Sequence, residues 1–227
     1  MNVRLISYSQ PAPDAFIGIN DAEDLIAYCA RVSNPANQNN TETSERLLTY
    51  LAKEKHWSPF EMVSACLEIT TTRDIARQIL RHRSFSFQEY SQRYAKATDN
   101  FHMRKARLQD SKNRQNSINL EDMMDSDERV DLEMQWIKHQ SEVMIAVRNA
   151  YEWALENNIA KEQARAVLPE GITESTMYMN GTLRSWMHYI ELRSGNGTQK
   201  EHRDIALACA DALRPVFPII DKFIDVQ

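Results

Sequence analysis

Between Arg81 and Tyr94 the chain reads RHRSFSFQEYSQRY, which gathers Arg81, His82, Arg83 and Arg93 around Glu89 and Ser91. Arg73 and Arg77 lie just upstream and no lysine interrupts the run, in a chain of formal net charge −5. Local positive charge on an acidic background predicts an anion site rather than a generally adhesive surface. The choice of arginine sharpens this, because guanidinium forks bind phosphate and planar carbonyl edges through paired hydrogen bonds, which a lysine cannot do. A solvated or subunit-facing arginine face is the alternative that these residues alone leave open. Ser91 is read as a hydrogen-bonding group for a bound anion such as phosphate. A serine nucleophile needs a positioned base, and its neighbours offer Glu89 and Arg93 but no histidine.

Neither Gly-x-Gly-x-x-Gly nor a phosphate-loop pattern occurs, and the chain has only five glycines. If a nucleotide-containing ligand binds, it does so without a Rossmann turn, held by arginines and by backbone amides at helix starts. The histidines show no metal spacing, so no metal is expected. His56, beside Trp57 and Pro59, reads by itself as a capping or packed histidine, and His102 and His139 read as ordinary surface groups. Cys29, Cys66 and Cys209 are widely separated in apolar contexts, which argues against disulfides or a zinc knuckle and for small buried hydrophobes.

The elements that must carry these groups follow from periodicity. Val3–Tyr8 predicts a strand. Asp21–Val32 and Thr43–Lys55 predict amphipathic helices, with polar SNPANQNN between them. Phe60–Thr70 predicts a second strand, and Thr71 with Asp74 resembles a capping box opening a helix to about Leu80. On that helix Gln78 and Arg81 lie a turn apart and can face one site. An extended segment after it would put Glu89, Ser91 and Arg93 on one side. Residues 95–125, polar and aperiodic, predict a long loop or lid. Asp125 with Glu128 predicts the start of a long helix to about Asn157. Its stripe of Met134, Ile137, Met144, Val147 and Tyr151 suits core or a subunit interface. A short helix ending at Pro169, a strand at Ile172–Met179, a helix at Leu183–Arg193 and a last helix from Thr198 and Glu201 to near Pro215 complete the pattern.

At 227 residues, 42% hydrophobic and 26% charged, the chain suits one soluble domain, or at most two small ones. The amino terminus lacks the apolar run of a signal peptide and no segment approaches a membrane span, so no membrane association and a cytoplasmic location are expected. A nucleic-acid-binding module using the same arginines would spread basic residues along a surface. A pI near 5.7 and the confinement of arginine to one segment count against it, and no nucleic-acid partner is expected.

Arg81-His82-Arg83, seven residues and then Ser91 resembles the signature of the flavin-dependent thymidylate synthases. His56 to Glu61, HWSPFE, resembles that family's upstream flavin-contacting segment. Arg165 in ARAVLP, Arg184 in TLRSW and Arg193 in IELR resemble its downstream elements in the same order, so the likeness spans roughly Ala30 to Ala210. The resemblance implies an α+β fold, with long helices packed against a mostly antiparallel sheet as a single domain over residues 1–227. It also implies a homotetramer with shared active sites, in which the arginine run and the Ser58 segment are half-sites joined across subunit contacts.

The implied reaction converts dUMP to dTMP, with methylenetetrahydrofolate giving the carbon, NADPH the electrons and FAD relaying between them. Arg193 matches the family's activating arginine, which stabilises uracil ionised at N3. By the same resemblance Gln78, Arg81, Glu89, Tyr90, Ser91, Gln92, Arg93, Arg165 and Arg193 would bind dUMP. Ser58, Arg81, His82, Arg83, Glu89, Thr182, Arg184 and His188 would hold FAD, His82 having little reason to be buried between two arginines. His56 would lie where folate or nicotinamide stacks. The chain departs from the family at Met62, where many relatives have histidine, and at Thr182, often asparagine, with Asn180 close by. His188 and Gly197 stand where some relatives carry asparagine and histidine against the flavin. A flavoprotein with another substrate would keep the FAD residues but lose the roles of Gln78 and Arg193.

Overall fold

A computed structural model describes residues 1–13, 18–97 and 100–224. In chain order its main elements are β1 (Asn2–Tyr8), α1 (Ala22–Ala30), α2 (Ser44–Lys53), β2 (Ser64–Thr72), α3 (Arg73–Ile79) and β3 (Ser86–Glu89). There follow β4 (Arg107–Gln109), β5 (Ser117–Asn119), α4 (Ser126–Glu156), α5 (Lys161–Ala164), β6 (Glu174–Thr182), α6 (Leu183–Ser194) and α7 (Lys200–Leu213). The fold is α+β: a four-stranded sheet in the order β1-β2-β6-β3, antiparallel at every pairing, carries helices on one face.

The central pairing runs from Ser64↔Thr182 to Thr72↔Glu174 without a bulge. Strict alternation decides its two faces. Leu67 opposes Met179 and Ile69 opposes Met177, all fully buried, whereas Glu68 opposes Tyr178 and Thr70 opposes Thr176 on the wetter face. Onto the apolar face pack Ile75 and Ile79 of α3, Trp186 and Ile190 of α6, and Ile205, Cys209 and Leu213 of α7. The Trp186 indole donates to the Ala65 carbonyl at 3.1 Å, so the largest core side chain is also oriented. A smaller cluster forms around Tyr151, Ala154, Ala164 and Leu168, and the Tyr151 hydroxyl accepts from the Ala97 amide.

Several local expectations change. The strand expected from Phe60 starts at Ser64, because Pro59 opens a short 3₁₀ helix, Ser58–Glu61. Thr72 rather than Thr71 precedes α3; its hydroxyl bonds the Asp74 carboxylate, so no capping box forms on backbone amides. Residues 95–125 carry the β4–β5 hairpin and a 3₁₀ turn at Leu120–Asp122, although 98–99 lie outside the described residues. The hairpin was invisible to periodicity because each strand is only three residues long. Along α4 the apolar stripe is core only at its end: Tyr151 is buried, while Met134 and Ile137 stand exposed. Among the described residues no helix is long and apolar enough to cross a membrane.

Gly181 lies in β6 beneath the Phe85 ring, where an added Cβ would come within 2.7 Å of Phe85 Cε1 and closer still to Cδ1. Phe85 cannot retreat easily, since it packs edge-on to Trp186 at 4.7 Å. Gly181→Val is expected to destabilise the fold by about 1–3 kcal/mol, the usual cost of overpacking. A urea titration checks this; an unchanged midpoint would show that Phe85 moves freely.

Candidate active site

The site is built where the carboxy-terminal ends of the helices that follow β2 and β6 come together. Each strand runs directly into a helix, β2 into α3 at Arg73 and β6 into α6 at Leu183, and α7 packs against both. Thr182 caps α6 by accepting from the Ser185 amide, so its hydroxyl is committed to the helix start. The turn following α3 then brings His82 against α6. There the Arg193 Nε donates to His82 Nε2 at 3.0 Å, and the His82 ring meets Tyr189 edge-on at 4.9 Å.

That contact fixes protonation. Arginine has donors only, so His82 Nε2 must be bare and the neutral ring carries its proton on Nδ1. Burial, then the Arg193 and Arg81 charges, push the His82 pKa down to about 4. Contrary to the expectation for a histidine flanked by arginines, His82 is half-buried and serves as a rest for Arg193. Arg193 has no carboxylate partner among the described residues. Its terminal nitrogens remain for a ligand.

Behind this pair lies a polar chain that motif reading missed. His202, fully buried, contacts the Tyr189 hydroxyl through Nε2 at 3.1 Å and Gln78 Oε1 through Nδ1 at 3.3 Å. Gln78 Nε2 donates to Gln199 Oε1 at 2.8 Å, and Gln199 Nε2 donates to Glu201 Oε2 at 3.0 Å. Glu201 is clamped by Arg107 at 2.6 Å and Arg104 at 3.3 Å, and Arg104 also binds Asp74 at 2.7 Å. Burial would raise the Glu201 pKa, but its own amide, Gln199, Arg107 and Arg104 outweigh that and hold it low. His202 is pushed down to about 3 by burial, with Arg193 and His82 adding to it. One signal was available in the sequence: Glu201 and His202 fall on the apolar side of the last helix, in step with Ile205 and Cys209.

The other predicted residues fall into separate groups. Strand β3 stops at Glu89 and the chain turns through Ser91–Ala95, so Ser91 and Arg93 do not continue the Glu89 alternation. Glu89 accepts both oxygens' bonds from Arg77, at 2.7 and 2.8 Å, and one from Ser175. Tyr90 donates its hydroxyl to the Lys96 carbonyl, Gln92 is buried, and Arg93 lies 3.6 Å from Glu162, one turn before half-buried Arg165. A third group joins the Ser58 segment to α6. Arg184 pairs with Glu61 at 2.5 Å and His188 packs edge-on to Trp57 at 4.6 Å, burial and then Arg184 depressing its pKa. Exposed His56 sits edge-on to Tyr50, and exposed Ser58 heads the 3₁₀ turn. Arg81 and Arg83 are exposed, with no ion-pair partner among the described residues.

Remaining expectations resolve individually. His102 is not an ordinary surface group, since it meets Glu174 at 2.6 Å and is half-buried; His139 is exposed beside Glu142. Burial raises all three thiols, so none is poised as a thiolate; Cys209 is fully buried, Cys29 and Cys66 partly. No group of three or more metal-ligating side chains occurs among the described residues.

Residues 15–219 match the family model described as thymidylate synthase complementing protein. The chain belongs to the flavin-dependent thymidylate synthase family. It is 48% identical over 225 residues to the probable flavin-dependent thymidylate synthase of Paramecium bursaria Chlorella virus 1, covering 99% of each chain. It is likewise 48% identical to the flavin-dependent thymidylate synthase of a Synechocystis strain, covering 97% of each. In fold it is similar to the UMP/dUMP methylase PolB from Streptomyces cacaoi, with a TM-score of 0.77 over 97% of this chain and 93% of that one, at 24% identity.

Neutral His82 and His202 make stability depend on pH. Both folded-state values lie below the ordinary 6.5, so the unfolded chain binds more protons from pH 6.5 down to about 4 for His82 and about 3 for His202. Their contribution is complete above pH 6.5 and is lost on acidification through that window. The melting temperature should fall from pH 7.5 to pH 5, and fall less in His202→Gln. Equal losses in the two proteins would mean that His202 does not titrate in this range.

Proposed function

We infer that this chain converts dUMP to dTMP by reductive methylation, using methylenetetrahydrofolate as carbon donor and NADPH as reductant through FAD. The observation that carries this reading is an Arg193 without a carboxylate partner among the described residues, its Nε pinned on a neutral imidazole, within a family of dUMP-methylating enzymes. Uracil C5 is a weak nucleophile until negative charge develops on the ring. Four guanidinium N–H groups are left to Arg193 after its bond to His82, and they can stabilise that charge at N3 and the adjacent carbonyl. A protonated His82 would repel the guanidinium; the neutral ring orients it instead. Gln78, Arg81, Arg165 and the Glu89–Arg93 segment are assigned to the nucleotide, with Ser91 and Arg93 as hydrogen-bonding groups.

The donor set also fits FAD. Arg81 and Arg83 offer exposed guanidinium forks free of carboxylates among the described residues, the chemistry a pyrophosphate needs. His82, Glu89, Ser58, Thr182, Arg184 and His188 complete the assignment, and His56 stands for the stacking position. When bound, the flavin supplies the electron transfer, while the chain's residues bind, orient and neutralise charge. A homotetramer with shared sites belongs to the same reading. It is supported by α4, where Met134 is 65% exposed, Ile145 61% and Trp153 59%, more apolar surface than a solvated helix usually shows.

Arg193→Ala is expected to lower turnover by about 10²–10³ and to leave flavin content unchanged. Methyl transfer and the flavin absorbance of the purified protein are measured together; near wild-type turnover would remove Arg193 from the reaction. A second variant tests assembly. Ile137→Glu/Ile145→Glu should sediment as a smaller species and carry less FAD, whereas an intact tetramer with full flavin would take α4 out of the subunit contacts.

A further inference from the structure

The chain from Tyr189 to Glu201 has a direction, and Glu201 sets it. A carboxylate paired with two arginines only accepts, so the group facing it must be the Gln199 NH2. The Gln199 carbonyl then faces Gln78, whose NH2 must donate. The Gln78 carbonyl is thereby turned to His202 Nδ1, which must carry the ring proton. His202 Nε2 is left bare and accepts from the Tyr189 hydroxyl. Each bond forces the next, and buried Glu201 and His202 cannot exchange a wrong orientation for water without losing a hydrogen bond.

We propose that Glu201 is a positioning residue that acts through Gln199 to hold the Gln78 amide in one orientation and His202 in one tautomer. After these bonds Gln78 keeps one N–H and one carbonyl lone pair for a ligand. The uracil edge of dUMP presents a carbonyl on either side of N3, so a flipped amide would set its own carbonyl against one of them. Glu201 thus acts on substrate recognition from two residues away, without touching substrate. The same carboxylate, through Arg104 and Arg107, ties this orientation to the segment leading into the β4–β5 hairpin. Arg104 exchanges two hydrogen bonds with buried Gln140 of α4, and Arg107 lies in β4 itself. The consequence for nucleotide rests on the reading of Gln78 as a dUMP ligand; the orientation itself does not.

The test uses the flavin-loaded enzyme with Glu201→Gln, Gln199→Met and Gln78→Ala, singly and in pairs. Gln199→Met cuts the relay while leaving the Glu201–arginine pairs in place, so it stands in if Glu201→Gln folds poorly. Histidine-selective ¹⁵N spectra, with His202 identified by the resonance lost in His202→Gln, should show a protonated Nδ1 in the parent protein. In Glu201→Gln and Gln199→Met they should show a tautomer mixture. Titration with dUMP should show roughly three- to tenfold weaker binding in each, the loss of one well-aligned hydrogen bond. Neither should weaken Gln78→Ala further. An unchanged His202 tautomer in both variants overturns the proposal, as does a full additional loss of dUMP affinity in the Gln78→Ala background. If Gln78→Ala alone binds dUMP normally, the nucleotide role of Gln78 fails, and the tautomer result still decides whether Glu201 sets the orientation.

Discussion

The uninterrupted antiparallel pairing of β2 with β6 is the constraint on which the site depends. It joins segments more than a hundred residues apart, and its register settles where both following helices begin. Thr72 is held opposite Glu174, so α3 starts there and its C-terminal turn delivers Gln78 and His82. Thr182 is held opposite Ser64, so α6 starts at the other end and delivers Tyr189 and Arg193. A slip of one residue would move Leu67, Ile69, Met177 and Met179 to the wet face. The apolar pattern that makes the core therefore also brings Arg193 to His82.

Electrostatics around Arg193 follow a similar economy. The guanidinium rests on an imidazole that burial keeps uncharged, so its positive charge is neither cancelled by a carboxylate nor doubled by a neighbour. Arginines with structural duties are neutralised: Arg73 by Glu170, Arg77 by Glu89, Arg104 by Asp74 and Arg107 by Glu201. Arg81, Arg83, Arg165 and Arg193 have no such partner among the described residues. Pairing thus separates arginines committed to carboxylates from those whose charge is left uncompensated by one.

Much of this was legible beforehand. The two periods, 2 and 3.6, located most helices and strands to within a few residues, because each segment buries one face against the same core. The supply of arginines was also legible, because residue types carry their chemistry wherever they are placed. Short elements were not legible. The three-residue strands β4 and β5 have no periodicity to read, and the turn after Glu89 broke an alternation that local spacing had suggested.

By itself, then, the sequence determined the amphipathic faces, the supply of arginines and the anion chemistry they imply, since those depend on residue type and near-neighbour spacing. Only the tertiary structure decided which arginines are spent on carboxylates. It alone placed His82 beneath Arg193, and drew Gln78, Gln199 and Glu201 into one line with His202. The physical reason is range. Hydrophobic periodicity is written within one element, whereas a hydrogen bond's direction and an imidazole's charge are set by groups that arrive from 111 and 124 residues away.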